Sequence, residues 1–90
     1  MPAARDEKQQ RIYEVIGSSY YRQPYSVYDL RRLKHAGIDI AEFCDFDPDK
    51  VLTQAEEAKR RGCSRQYVNY LVGEGDYETL VYAGRRLIKL

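Results

Sequence analysis

The feature that most constrains the fold of this chain is a pair of short helix signals separated by one tight turn. Thr53 stands three residues before Glu56, which is the spacing of a capping box and predicts a helix over residues 54–61. Gly62 follows, and glycine readily adopts the positive φ that a tight turn requires. Apolar residues at helical spacing then predict a second helix over residues 65–72.

The residues around this turn are those that two crossing helices need. Ser64 is suited to cap the second helix, and Cys63 fills the turn. Two short helices that pack near right angles require a small residue at their crossing and apolar residues at fixed offsets. Ala58, Val68 and Leu71 stand at those offsets. The segment is therefore predicted to form a helix-turn-helix.

A β-hairpin is predicted after this unit. Residues 79–82 and 85–89 have the composition of two short strands, and the Ala-Gly pair at 83–84 is suited to the turn between them. Two arginines follow the turn directly. We expect a mainly α-helical fold with a small β-hairpin.

Residues 51–90 together resemble one known class of DNA-binding unit. The helix-turn-helix of the MerR/excisionase-like superfamily is similar to the segment L-T-Q-A-E-E-A-K-R-R-G-C-S-R-Q-Y-V-N-Y-L. The wing of those proteins is similar to the stretch D-Y-E-T-L-V-Y-A-G-R-R-L-I-K-L. The resemblance implies a winged helix-turn-helix that binds double-stranded DNA, with its recognition helix in the major groove and its wing on the backbone or in the minor groove.

The outward residues of the recognition helix are the candidates for base contact. Arginine can bind guanine through two hydrogen bonds, and glutamine or asparagine can bind adenine in the same way. The predicted base-contacting residues are Arg65, Gln66, Asn69 and Tyr70. Tyr67 lies three residues before Tyr70, and we expect it to pack beneath the wing instead.

A second set of residues is predicted to contact the DNA backbone. Hydroxyl groups at helix starts and cations near a wing tip bind phosphate and fix the register of the protein on DNA. The candidates are Ser64, Lys59, Arg60, Arg61, Arg85 and Arg86. Instead of contacting phosphate, the cations at 59–61 could interact with the negative end of the helix dipole at the C-terminus of their helix. Arg85 and Arg86 could instead protect a strand edge against pairing with another chain.

Residues 1–50 are predicted to form an N-terminal helical extension of the winged unit at 51–90. Apolar spacing predicts helices over residues 6–16 and 26–36, and a short third helix over 39–46. Because ninety residues rarely support two independent cores, we expect the extension to share one core with the winged unit. Five of the nine tyrosines fall in this half, which favours a homodimer or a head-to-tail assembly on DNA.

Composition and motif content exclude several other classes. A net charge of +1 does not by itself indicate a nucleic-acid-binding protein. The sequence has neither an apolar run of membrane-spanning length nor a signal peptide, so we expect a cytoplasmic, nucleoid-associated protein. One histidine and two distant cysteines predict no metal site and no cofactor. The sequence lacks nucleophile-elbow and phosphate-loop motifs and is not expected to be an enzyme.

The expected function is sequence-specific DNA binding by a small transcription regulator or by an excisionase-like architectural factor. The sequence does not distinguish these two roles. The alternative is a protein-docking, DNA-packaging or plasmid-partition adaptor that uses the same fold.

Overall fold

The computed structural model describes the backbone of residues 4–90 and the side chains of residues 7–90. This part of the chain forms four α-helices and a three-stranded antiparallel sheet. The fold is mainly helical as expected, and the predicted β-hairpin is part of a sheet with one additional strand. It divides into two compact units, the first ending at Asp45 and the second running from Phe46 to Leu90. The division lies five residues before the predicted one, and each unit is described by itself below.

The first unit contains two helices, α1 (Ala4–Ile16) and α2 (Val27–His35), both close to their predicted bounds. Ser26 caps α2, since its side-chain oxygen accepts a hydrogen bond of 3.1 Å from the Asp29 backbone N–H. An uncapped helix start leaves backbone donors unsatisfied, so this bond fixes where α2 begins. The buried face of α2 consists of the predicted apolar residues Val27, Leu30 and Leu33.

The short helix expected over residues 39–46 is absent, and the prediction was wrong. An Asp39 carboxylate oxygen accepts a hydrogen bond of 3.0 Å from the Ala41 N–H, which closes a local turn in place of a helical one. The Phe43 N–H then bonds the Ile40 carbonyl at 2.9 Å, three residues back. Aspartate side chains compete in this way for backbone donors, so apolar spacing alone does not make a helix here.

The second unit contains the predicted pair of short helices and the sheet. Its elements, in chain order, are a 3-10 helix (Pro48–Lys50), β1 (Val51–Leu52), α3 (Gln54–Arg61), α4 (Arg65–Gly73), β2 (Thr79–Tyr82) and β3 (Arg85–Lys89). The two helices lie where the sequence predicted them, apart from one additional residue at the end of α4.

The signals that predicted this helix pair are formed as expected. Thr53 and Glu56 make a complete capping box, with each side chain bonded to the other residue's backbone N–H, at 3.1 and 2.9 Å. Gly62 adopts the left-handed conformation, with φ at 71°. Its missing Cβ removes the steric penalty of that conformation, so α3 ends at Arg61 and α4 begins after a turn of three residues.

The sheet has β3 at its centre, with β2 and β1 on either side. The hairpin of β2 and β3 has the predicted register, with Tyr82 opposite Arg85 across a two-residue turn. Ala83 and Gly84 both have positive φ, at 52° and 73°, which is the signature of a type I′ turn. Strand β1 was not predicted, because two residues are too few to show the alternation of a strand.

The core of the second unit joins the helices to the sheet. It contains Ala58 from α3, Val68 and Val72 from α4, and Ile88 from β3. Leu52, Cys63 and Tyr77 pack against this cluster, and Leu71 is also buried. Because one set of apolar contacts includes α4 and β3, the second helix of the motif and the hairpin are held in fixed relative positions.

We expect Ala83→Asn to stabilise the protein by about 0.5–1 kcal/mol, because asparagine tolerates positive φ better than alanine does. The free energy of unfolding, measured with urea, checks this. The control is Ala83→Val, whose branched side chain should destabilise the same turn. Equal midpoints for all three proteins would contradict the turn conformation.

Candidate nucleic-acid interface

The outer side of α4 carries all of the residues that the sequence predicted to contact bases. Val68, Leu71 and Val72 form the buried side of the helix. With 3.6 residues per turn, positions 66, 69 and 70 fall on the opposite side, and position 65 lies at the exposed start of the helix. The side chains of Arg65, Gln66, Asn69 and Tyr70 are all exposed.

Ser64 determines where α4 begins. Its side-chain oxygen accepts a hydrogen bond of 3.1 Å from the Tyr67 N–H, so the residue is a helix cap. The first backbone N–H groups of a helix have no partner within the helix and favour a nearby anion. Ser64 therefore orients the helix start, and its own hydroxyl proton can still be donated.

Two tyrosine rings lie side by side on the surface of α4. The rings of Tyr67 and Tyr70 are nearly parallel, at 23°, with their centroids 6.3 Å apart. Their side chains are 48% and 59% exposed. The expectation that Tyr67 packs beneath the wing was wrong: Val68 takes the core position next to it, and Tyr77 is the tyrosine that packs against the core.

A buried carboxylate lies behind the cations at the end of α3. Glu57 is 1% exposed, and its two oxygens accept hydrogen bonds of 2.6 and 2.9 Å from the Arg60 guanidinium. These bonds hold the pKa of the Glu57 carboxyl below its usual value, against the opposing effect of burial. A buried charge is tolerated only when it is paired in this way.

Tyr77 extends this polar network to the neighbouring arginine. Its hydroxyl also bonds the Glu57 carboxylate, which raises the pKa of Tyr77. The hydroxyl oxygen accepts a hydrogen bond of 2.6 Å from the Arg61 guanidinium. Sequence reasoning missed both Glu57 and Tyr77, although Glu57 and Arg60 have the i,i+3 spacing of a helical ion pair.

The network gives the three cations of α3 different electrostatic roles. The charge of Arg60 is balanced by Glu57 at hydrogen-bonding distance. Arg61 is bonded to a neutral phenol and keeps its positive charge for other partners. Lys59 is exposed. Among the three predicted phosphate contacts on α3, Lys59 and Arg61 are therefore better suited to bind an anion than Arg60.

The hairpin presents the remaining two candidate residues. Arg85 and Arg86 are exposed at the start of β3, directly after the turn, whereas the next two residues, Leu87 and Ile88, are buried. The Gln54 side-chain amide donates a 3.3 Å hydrogen bond to the Arg86 carbonyl, which ties strand β3 to α3. The two arginines thus project from an anchored strand.

No protein-family model, curated protein or solved structure matches this chain. Among the residues that the structure describes, no three His, Cys, Asp or Glu side chains cluster in a way that could hold a metal ion. The helices within the same residues are too short or too polar to cross a lipid bilayer. The candidate interface therefore has to be interpreted from its own chemistry.

We expect Glu57→Gln to lower the free energy of unfolding at neutral pH by about 1–3 kcal/mol, because a charge-assisted pair becomes a neutral one. The stabilisation by a carboxyl with a lowered folded pKa is fully present above its unfolded pKa, near 4.3, and is lost as the pH falls through the folded value. Urea unfolding of both proteins from pH 7 to pH 3 measures the difference.

The difference in the free energy of unfolding between wild type and Glu57→Gln should be constant above about pH 5 and should become smaller below it. Glu78→Gln changes an exposed carboxylate and is the matched control, with an expected effect within about 0.5 kcal/mol. A difference that is the same at pH 3 and pH 7 would contradict the role of the Glu57 charge.

Proposed function

We propose that this protein binds double-stranded DNA in a sequence-specific manner, with α4 in the major groove and the β2–β3 hairpin as a wing on the backbone or in the minor groove. The observation that carries this proposal is the polar outer side of α4. This short helix exposes one arginine and two amide side chains. Arginine and amide side chains are the groups that bind base edges in the major groove.

The charges around α4 support the proposed orientation. Lys59 and Arg61 lie at the end of α3, just before the turn into α4. Arg85 and Arg86 lie on the hairpin, which shares a core with α4. Exposed cations that precede and follow a recognition helix in the chain are suited to bind the phosphates that border the major groove. Ser64 would add a phosphate contact at the helix start.

We propose that the biological role is that of a small transcription regulator or of an excisionase-like architectural factor. Both roles favour binding by more than one copy. Tyr13, Tyr21 and Tyr28 are exposed in the first unit and are suited to a contact between copies. Sedimentation at tens of micromolar should give twice the mass of the chain, and a monomer mass would rule out this contact.

One observation favours a second candidate, a protein-docking adaptor of the kind used in DNA packaging or plasmid partition. Val81 is 70% exposed on β2, which is an edge strand of the sheet. An exposed apolar residue on an edge strand is suited to pair with another chain. An adaptor of this type would bind a protein partner and would not retard random duplex DNA at low salt.

We expect Arg65→Ala to weaken specific binding by about 1–3 kcal/mol and to relax selection at one base position, because a bidentate base contact is lost. Arg86→Ala should weaken binding to all duplexes alike, because it removes a phosphate contact. Sequence selection from a random pool, followed by titration of selected and random duplexes, measures both effects. Equal losses on both duplexes for both variants would contradict this division of roles.

The salt dependence of the affinity, measured in the same titrations, shows which cation of α3 contacts phosphate. Each lost phosphate contact should reduce the slope of log affinity against log salt by about 0.9. Arg61→Gln is expected to show this reduction. The matched control is the double variant Glu57→Gln/Arg60→Gln, which removes a balanced pair and should leave the slope unchanged. A reduced slope for the double variant alone would assign the phosphate contact to Arg60.

A further inference from the structure

The proposed function does not say which base Tyr70 contacts, or why the ring of Tyr67 is exposed beside it. Tyr67 and Tyr70 leave about half of their side chains open to solvent, although aromatic surface is stabilised by burial. The rings are nearly parallel, with their centroids 6.3 Å apart. The two rings thus form an apolar surface on the side of α4 that is otherwise polar.

Helix geometry places this apolar surface next to the two amides. Gln66 and Tyr70 are four residues apart and therefore neighbours on the helix surface, and Asn69 directly precedes Tyr70. The amide side chains are suited to the adenine edge, which offers an acceptor at N7 and a donor at N6. The thymine paired with that adenine presents its C5-methyl group in the same groove.

We propose that α4 recognises A·T base pairs, with Gln66 or Asn69 on adenine and the ring of Tyr70 against a thymine C5-methyl group. This inference rests on the proposed function. Tyr67 acts as a positioning residue, because its ring stacks on Tyr70 and limits the rotamers that Tyr70 can adopt. Methyl contact requires only the face or edge of the ring, so the hydroxyl group is dispensable.

The test replaces thymine by deoxyuridine, one position at a time, in the duplex selected by the protein. This change removes a methyl group and leaves base pairing and backbone charge intact. For the wild-type chain, the dissociation constant should rise by about threefold to tenfold at one or two positions. Fluorescence anisotropy at fixed salt measures the constants, and circular dichroism checks that each variant is folded.

Three variants locate the contact. Tyr70→Phe keeps the ring and should retain the full sensitivity to uracil. Tyr70→Ala should bind the thymine and uracil duplexes equally, and Tyr67→Ala should show a reduced difference between them. Leu90→Ala is the control, since it removes an exposed apolar side chain that belongs to neither α4 nor the hairpin, and it should behave as wild type.

The outcomes separate this inference from the function on which it rests. If the wild-type chain binds no duplex, the proposed function fails. If it binds a selected duplex but is insensitive to uracil at every position, the function stands and the methyl contact is overturned. Full uracil sensitivity in Tyr70→Ala would overturn the assignment to Tyr70. If the tyrosine variants bind DNA normally but change the mass of the protein in solution, the rings contact another protein chain, which also overturns it.

Discussion

The second unit depends on one small apolar core that joins α3, α4 and β3. Ala58 of α3, Val68 and Val72 of α4 and Ile88 of the central strand belong to the same buried cluster. The core includes an alanine because two helices that are joined by a three-residue turn leave little room at their contact. All of the exposed candidate residues on α4 and the hairpin are oriented by these few side chains, so the interface is as rigid as this core.

Burial of an ion pair is costly unless each charge keeps its hydrogen bonds. Glu57 meets this condition, because both of its oxygens accept bonds from Arg60 and Tyr77 contributes another. The network links the end of α3 to the loop that follows α4. The same network determines which cations at this surface have a charge that no carboxylate balances. A structural ion pair and a set of candidate anion-binding residues are therefore formed by adjacent residues.

Local signals in the sequence were sufficient for much of this fold. The capping box at Thr53 and the glycine at position 62 defined α3 and its end, because both act through backbone groups within a few residues. The outer side of α4 followed from its apolar spacing. Residues 39–46 were misread because aspartate side chains bond the local backbone. Strand β1 and the contacts of Tyr77 could not be predicted, since they depend on residues distant in sequence. The sequence likewise did not show that Tyr67 stays on the surface beside Tyr70.

Strand β1 has a mechanical consequence despite its length. Val51 and Leu52 pair antiparallel with the last residues of β3, and the Leu90 N–H bonds the Lys50 carbonyl at 3.0 Å. Lys50 and Leu90 are therefore neighbours at the same end of the β1–β3 pair. A pulling force applied between these two residues would break the hydrogen bonds between β1 and β3 one after another and would not load all of them together in shear. The closeness of the two residues would also allow the segment between them to be inserted into a loop of another protein without stretching that loop apart.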